Sequence, residues 1–85
     1  MWRVIVRISF FHDRGSRLRN FLVPMFTEMG LQNTHTGTWE SASVDLAQAV
    51  TQMTLVLEAV ADPRSVPGVD PQTELNHLWV YIDRV

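Results

Sequence analysis

Residues 2–10 read WRVIVRISF. The even positions Trp2, Val4, Val6, Ile8 and Phe10 are all apolar, while the odd positions Arg3, Arg7 and Ser9 are polar, with Ile5 the exception. Successive side chains on a strand point to opposite faces, so this alternation of β-branched residues predicts a strand over residues 2–10 with one buried face. A strand with one apolar face needs a second layer to cover it, and the rest of the 85-residue chain has to supply that layer.

The next segment, HDRGSRLRNFLVPMFTEMG, changes period. Leu18, Phe21, Leu22, Met25 and Met29 fall on one helical stripe, Ser16 is placed to cap the amino end, and Gly30 stands where a left-handed C′ residue is wanted. Pro24 removes one ladder hydrogen bond, which predicts a kink or a helix restarted at that point. The threonine-rich stretch LQNTHTGTWESASV predicts two short strands, near 31–35 and 38–42, joined as a hairpin around Gly37. Ser43 or Asp45 then caps a second helix with Leu46, Val50, Met53, Leu57 and Val60 on one face, ended by Asp62-Pro63. DPRSVPGVDPQTELN reads as a loop. The terminal HLWVYIDRV alternates Leu78, Val80 and Ile82 with His77, Trp79, Tyr81 and Asp83, and so reads as a strand.

The order strand, helix, strand, strand, helix, strand is the ferredoxin-like βαββαβ arrangement of the α+β class. It implies a four-stranded antiparallel sheet, both helices on one face, and the first strand central beside the last. No repeat or linker divides residues 1–85, so a single domain is expected. If the even side of the first strand faces the helices, the opposite face carries Arg3, Ile5, Arg7 and Ser9 beside His77, Trp79, Tyr81 and Asp83. A face holding Ile5, Trp79 and Tyr81 is too apolar to stand bare on so small a domain. Either a second copy covers it in a homodimer, or bases of single-stranded RNA or DNA stack on the aromatics.

Charge adds a second theme. Residues 1–20 hold Arg3, Arg7, Arg14, Arg17 and Arg19 against Asp13 alone, a net of +4, whereas the whole chain carries −2. Arg14, Arg17 and Arg19 open the first helix, where free N–H groups attract anions, so they are candidate nucleic-acid or anion ligands together with Arg3 and Arg7. The chain has no cysteine, which excludes disulfides, thiolate metal sites and cysteine nucleophiles. No apolar run reaches the length of about 20 residues that a membrane span needs, and the first residues show no small-residue cleavage site, so a cytoplasmic protein without membrane contact is expected. Asp13 is the one candidate catalytic carboxylate near the first strand's end. It could hold a divalent cation with His12, or simply complement the dipole at the helix start. No metal-ligand set is otherwise evident.

The strand VIVRISF with its polar turn and helix, the segment GLQNTHTGTWES and the terminal strand LWVYIDRV together resemble the small ferredoxin-like proteins of the CRISPR-associated Cas-two, VapD and SinR-like groups. The resemblance implies sheet-to-sheet dimers and, in several members, metal-dependent nucleases or nucleic-acid-binding subunits. The family's acidic residue ends the first strand. Here Ser9, Phe10 and Phe11 fill that region and the nearest carboxylate is Asp13. The expectation is a dimeric nucleic-acid-associated protein without efficient nuclease activity, needing no cofactor, with Mg²⁺ the ion if it does cleave. The alternative is a non-catalytic dimerisation or protein-interaction module.

Overall fold

The computed structural model describes residues 1–61 and 66–85. Its elements are β1 (Trp2–Phe11), α1 (Arg17–Glu28), β2 (Leu31–His35), β3 (Thr38–Ser41), α2 (Leu46–Val60) and β4 (Glu74–Arg84). The strands form one sheet in the order β2-β3-β1-β4, with every neighbouring pair antiparallel. This is the ferredoxin-like α+β arrangement, with β1 and β3 central and β2 and β4 at the edges.

The even side of β1 faces the helices. Val4 and Val6 are fully buried in a cluster that takes Leu18, Leu22 and Phe26 from α1, Trp39 from β3, and Ala49, Val56 and Val60 from α2. Phe26 meets Trp39 edge-on, ring centroids 5.3 Å apart. Burying each such large apolar side chain stabilises the fold by roughly 1.5–3 kcal/mol, so this cluster is the principal reason the helices lie on the sheet.

Both helices differ in rotation from what their spacing suggests. In α1 the buried residues are Leu18, Leu22 and Phe26, and Phe21 is exposed. The helix runs unbroken through Pro24, so it does not restart there. In α2 the buried residues are Ala49, Gln52, Val56 and Val60, while Leu46, Val50 and Leu57 are left exposed. The small Ala49 lets the helix lie close to the sheet, and Gln52 donates from Nε2 to the Met29 carbonyl at the end of α1, 2.9 Å away. In this rotation Gln52 reaches the Met29 carbonyl while the bulkier stripe is left uncovered.

The caps sort as chemistry requires. Asp45 caps α2, accepting from the Gln48 N–H. Ser16 does not cap α1, because Gly15 and Ser16 both adopt left-handed conformations (φ 65° and 53°) and turn the Ser16 side chain away. Asp13 takes the role instead, its two carboxylate oxygens accepting from the N–H groups of Leu18 and Arg19 at 2.9 and 3.1 Å. Two orphan donors of the first turn are thereby satisfied by a negative group at the positive end of the helix.

At the far end of the hairpin, Gly37 (φ 73°) brings its carbonyl within 2.8 Å of the Ile8 N–H. A Cβ at Gly37 would stand 2.6 Å from the Ile8 carbonyl oxygen, so only glycine permits this approach. The expected end of α2 at Asp62-Pro63 lies outside the described residues. β4 begins at Glu74, three residues before the sequence pattern suggests, because Leu75 and Glu74 pair with Phe10 and Phe11 beyond a bulge.

Candidate interaction surface

The register places the odd side of β1 between two neighbours. Arg3 is opposite Asp83, Ile5 lies between Glu40 and Tyr81, Arg7 between Thr38 and Trp79, and Ser9 is opposite His77. The open face therefore carries the side chains that alternation assigns to it, and β3 adds Glu40.

Its chemistry is aromatic in the β4 half and ionic at one end. Trp79 is 53 % exposed and Tyr81 43 %. The Arg7 guanidinium lies over the Trp79 ring, 5.4 Å from its centroid, and His77 packs against the same indole at 4.9 Å. Arg3 binds two carboxylates at once, Glu40 Oε1 at 3.3 Å and Asp83 Oδ2 at 3.1 Å. Ile5 points to this face yet is only 7 % exposed, because the longer side chains around it close over it. It is a floor and not a contact residue. Sequence reasoning missed Glu40, whose position opposite Ile5 depends on the hairpin register.

The five clustered arginines do not form one patch. Arg3 and Arg7 belong to the open face, whereas Arg14, Arg17 and Arg19 belong to the turn and helix layer at the end of β1. Arg14 is held by Asp70, Nε to Oδ2 3.1 Å. That contact belongs to a fastening in which Thr73, fully buried, donates from its hydroxyl to the His12 carbonyl at 2.9 Å and from its N–H to the Asp70 carbonyl. Arg7, Arg17 and Arg19 form none of the ion pairs among the described residues.

A cleft of about 290 Å³ opens between the start of α1 and the hairpin tip, lined by Ile8, Phe10, Phe26 and Trp39 with Asp13 and Arg19 at its polar side. Asp13 reaches it with both oxygens already engaged in capping. Among the described residues no three His, Asp or Glu side chains come together in a way that could hold a metal ion. No described helix is long and apolar enough to cross a membrane.

Charge on the open face cancels: Arg3 and Arg7 stand against Glu40 and Asp83. What remains is a neutral aromatic surface with an ion-pair rim, the composition of protein contact surfaces, in which aromatics and Arg are enriched and unpaired charge is depleted at the centre. No protein-family model matches the chain, and neither the curated proteins nor the solved structures compared with it give a significant match.

Proposed function

We propose that this protein is a small non-catalytic interaction module that self-associates, using the β4 half of its sheet as the contact surface. The observation that carries this reading is that Trp79 and Tyr81 stay exposed on a face whose charges cancel. An aromatic surface of this kind gains by leaving water, and a neutral face gives a polyanion little to bind. The test is light scattering across micromolar concentrations, with a mass of about twice 9.8 kDa expected. A single-chain mass throughout would overturn the reading.

A second reading is association with single-stranded RNA or DNA. Arg7 over Trp79 with His77 alongside is an arrangement on which a base could stack, and Arg17 and Arg19 lack described acidic partners. Titration of a labelled single-stranded oligonucleotide at low and moderate salt separates the two. Binding that weakens steeply with salt, and weakens further in an Arg7→Gln, Arg17→Gln, Arg19→Gln variant, would favour nucleic acid. In the nucleases that the sequence resembles an acidic residue ends the first strand; the nearest carboxylate here is Asp13, which caps α1 through both oxygens and belongs to no cluster of three His, Asp or Glu among the described residues that could hold Mg²⁺. No cleavage of RNA with Mg²⁺ or Mn²⁺ is expected. Cleavage abolished in Asp13→Asn would overturn that expectation.

A further inference from the structure

β4 is an edge strand of eleven residues whose other side meets no described strand. Long edges are normally blunted by proline, lysine, bulges or inward charges, because their free N–H and C=O groups invite pairing. β4 has its one irregularity at Asn76, and residues 77–82 contain none of these devices.

The sequence of that regular stretch, HLWVYID, is close to a palindrome in residue type. About Val80, Leu78 mirrors Ile82, Trp79 mirrors Tyr81, and His77 mirrors Asp83. In an antiparallel pair of two β4 strands with Val80 on the two-fold axis, each aliphatic side chain meets an aliphatic one. Each aromatic meets an aromatic, and the His77 ring lies opposite a carboxylate that Arg3 holds through Oδ2 alone. Moving the axis to Trp79 sets Leu75 against Asp83, and moving it to Tyr81 sets Trp79 against Asp83. Only the Val80 register matches every pair.

A second observation comes from the helix layer. Gln52 marks the flank of α2 that faces α1, since it bonds to Met29. Leu46, Val50 and Leu57 lie roughly 120–160° around the helix from Gln52, at 100° per residue. They therefore project away from α1, on the β4 side of the molecule, and all three are exposed. α2 packs over β1 and β4. With strands about 4.8 Å apart, a helix centred over that pair would stand about 10 Å from its symmetry mate across a β4–β4 junction. Helices pack at about 8–10 Å.

We propose that two copies of this chain join edge to edge through β4 about a two-fold axis at Val80, forming one eight-stranded sheet with the α2 helices packed antiparallel across the junction. The proposal rests on the self-association reading and names its geometry. Trp79 of each copy lies against Tyr81 of the other, and the exposed stripe of α2 gains the cover the monomer does not provide.

Two variants and one measurement test it. Cα atoms directly opposite in an antiparallel pair are about 4.5–5.5 Å apart, within disulfide reach, and the chain has no cysteine of its own. Val80→Cys should therefore give a covalent dimer under mild oxidation. The double variant Val50→Glu, Leu57→Glu changes only exposed positions, so it should keep the circular dichroism of the wild type while its mass falls to that of one chain. In the wild type, amide exchange along residues 77–83 should slow as concentration rises, which reports the junction even if a variant fails to fold. A dimer that survives the glutamates, shows no Val80→Cys cross-link and leaves β4 exchange independent of concentration would overturn this geometry while leaving self-association standing. A wild type that stays a single chain at every concentration would overturn both.

Discussion

The two edges of the sheet are built differently. β2 is five residues long, LQNTH, exposed and polar beyond Leu31, and irregular between Asn33 and His35. Asn33 turns its amide back onto the carbonyls of His35 and Thr38, at 2.7 and 2.9 Å, so the edge is occupied with its own hairpin. β4 is eleven residues long, carries Trp79 and Tyr81 on its open side, and is regular from His77 to Arg84. The chain places polar residues and an irregularity through the middle of β2, whereas in β4 the bulge sits near the start, at Asn76, and the stretch Leu78–Ile82 beyond it is regular and apolar or aromatic. An edge left regular and aromatic in a domain that blunts its other edge is open to strand pairing, which is the feature the proposed self-association uses.

The largest effect is expected on the β2 side of the sheet. Gly37→Ala forces a Cβ against the Ile8 carbonyl at a left-handed position, and should cost about 2–3 kcal/mol in urea unfolding by detaching the hairpin tip from β1. On the β4 side, Trp79→Lys with Tyr81→Lys installs lysines, a common means of blunting an edge strand. It should weaken self-association about thirtyfold, equivalent to about 2 kcal/mol, with little change in unfolding midpoint because both side chains are exposed. Sedimentation equilibrium beside urea denaturation reads the two quantities separately. An unfolding midpoint that drops as far as the association does would mean that β4 needs its aromatics to fold.

Smaller effects sharpen the same contrast. Asp13→Ala removes the acceptor for two N–H groups at the start of α1, the helix that packs over β2, and should cost about 1 kcal/mol of stability with no change in association. Arg3→Gln releases Glu40 and Asp83 on the open face. Arg3 and Asp83 are each nearly half exposed, so a loss of about 0.5 kcal/mol or less is expected, diminishing further at high salt.

The strands were readable from the chain because period two leaves no ambiguity: Val4 and Val6 alternate with Arg3 and Arg7, and one register error would invert every face. Fold topology followed from element order. The rotation of α2 was not readable in the same way. Apolar residues occupy more than half its circumference, so the spacing Leu46, Val50, Met53, Leu57 identifies an apolar stripe without saying which surface it meets. The buried face is instead the one that carries Ala49, Val56 and Val60, together with Gln52, whose carbonyl partner lies 23 residues away in sequence. The cap of α1 failed to show for a related reason. Gly15 and Ser16 both turn left-handed, and that conformation moves the capping role from Ser16 to Asp13. Of the candidate surface, Trp79 and Tyr81 were evident from alternation. The pairing of Arg3 with Glu40 and of Arg14 with Asp70 needed the folded register, and it removes two of the five arginines from any free positive patch.

The placement of the tryptophans has an optical consequence. Trp39 is sealed in the core against Phe26, Trp2 lies half-buried beneath the Arg84 guanidinium, and Trp79 stands on the surface. Indole emission shifts to the red as water reaches the ring, so the unlabelled chain carries a blue reporter of its interior and a red reporter of its open sheet face. Iodide should dim the red component alone, and whatever settles on β4 should restore it while the blue component stays unchanged.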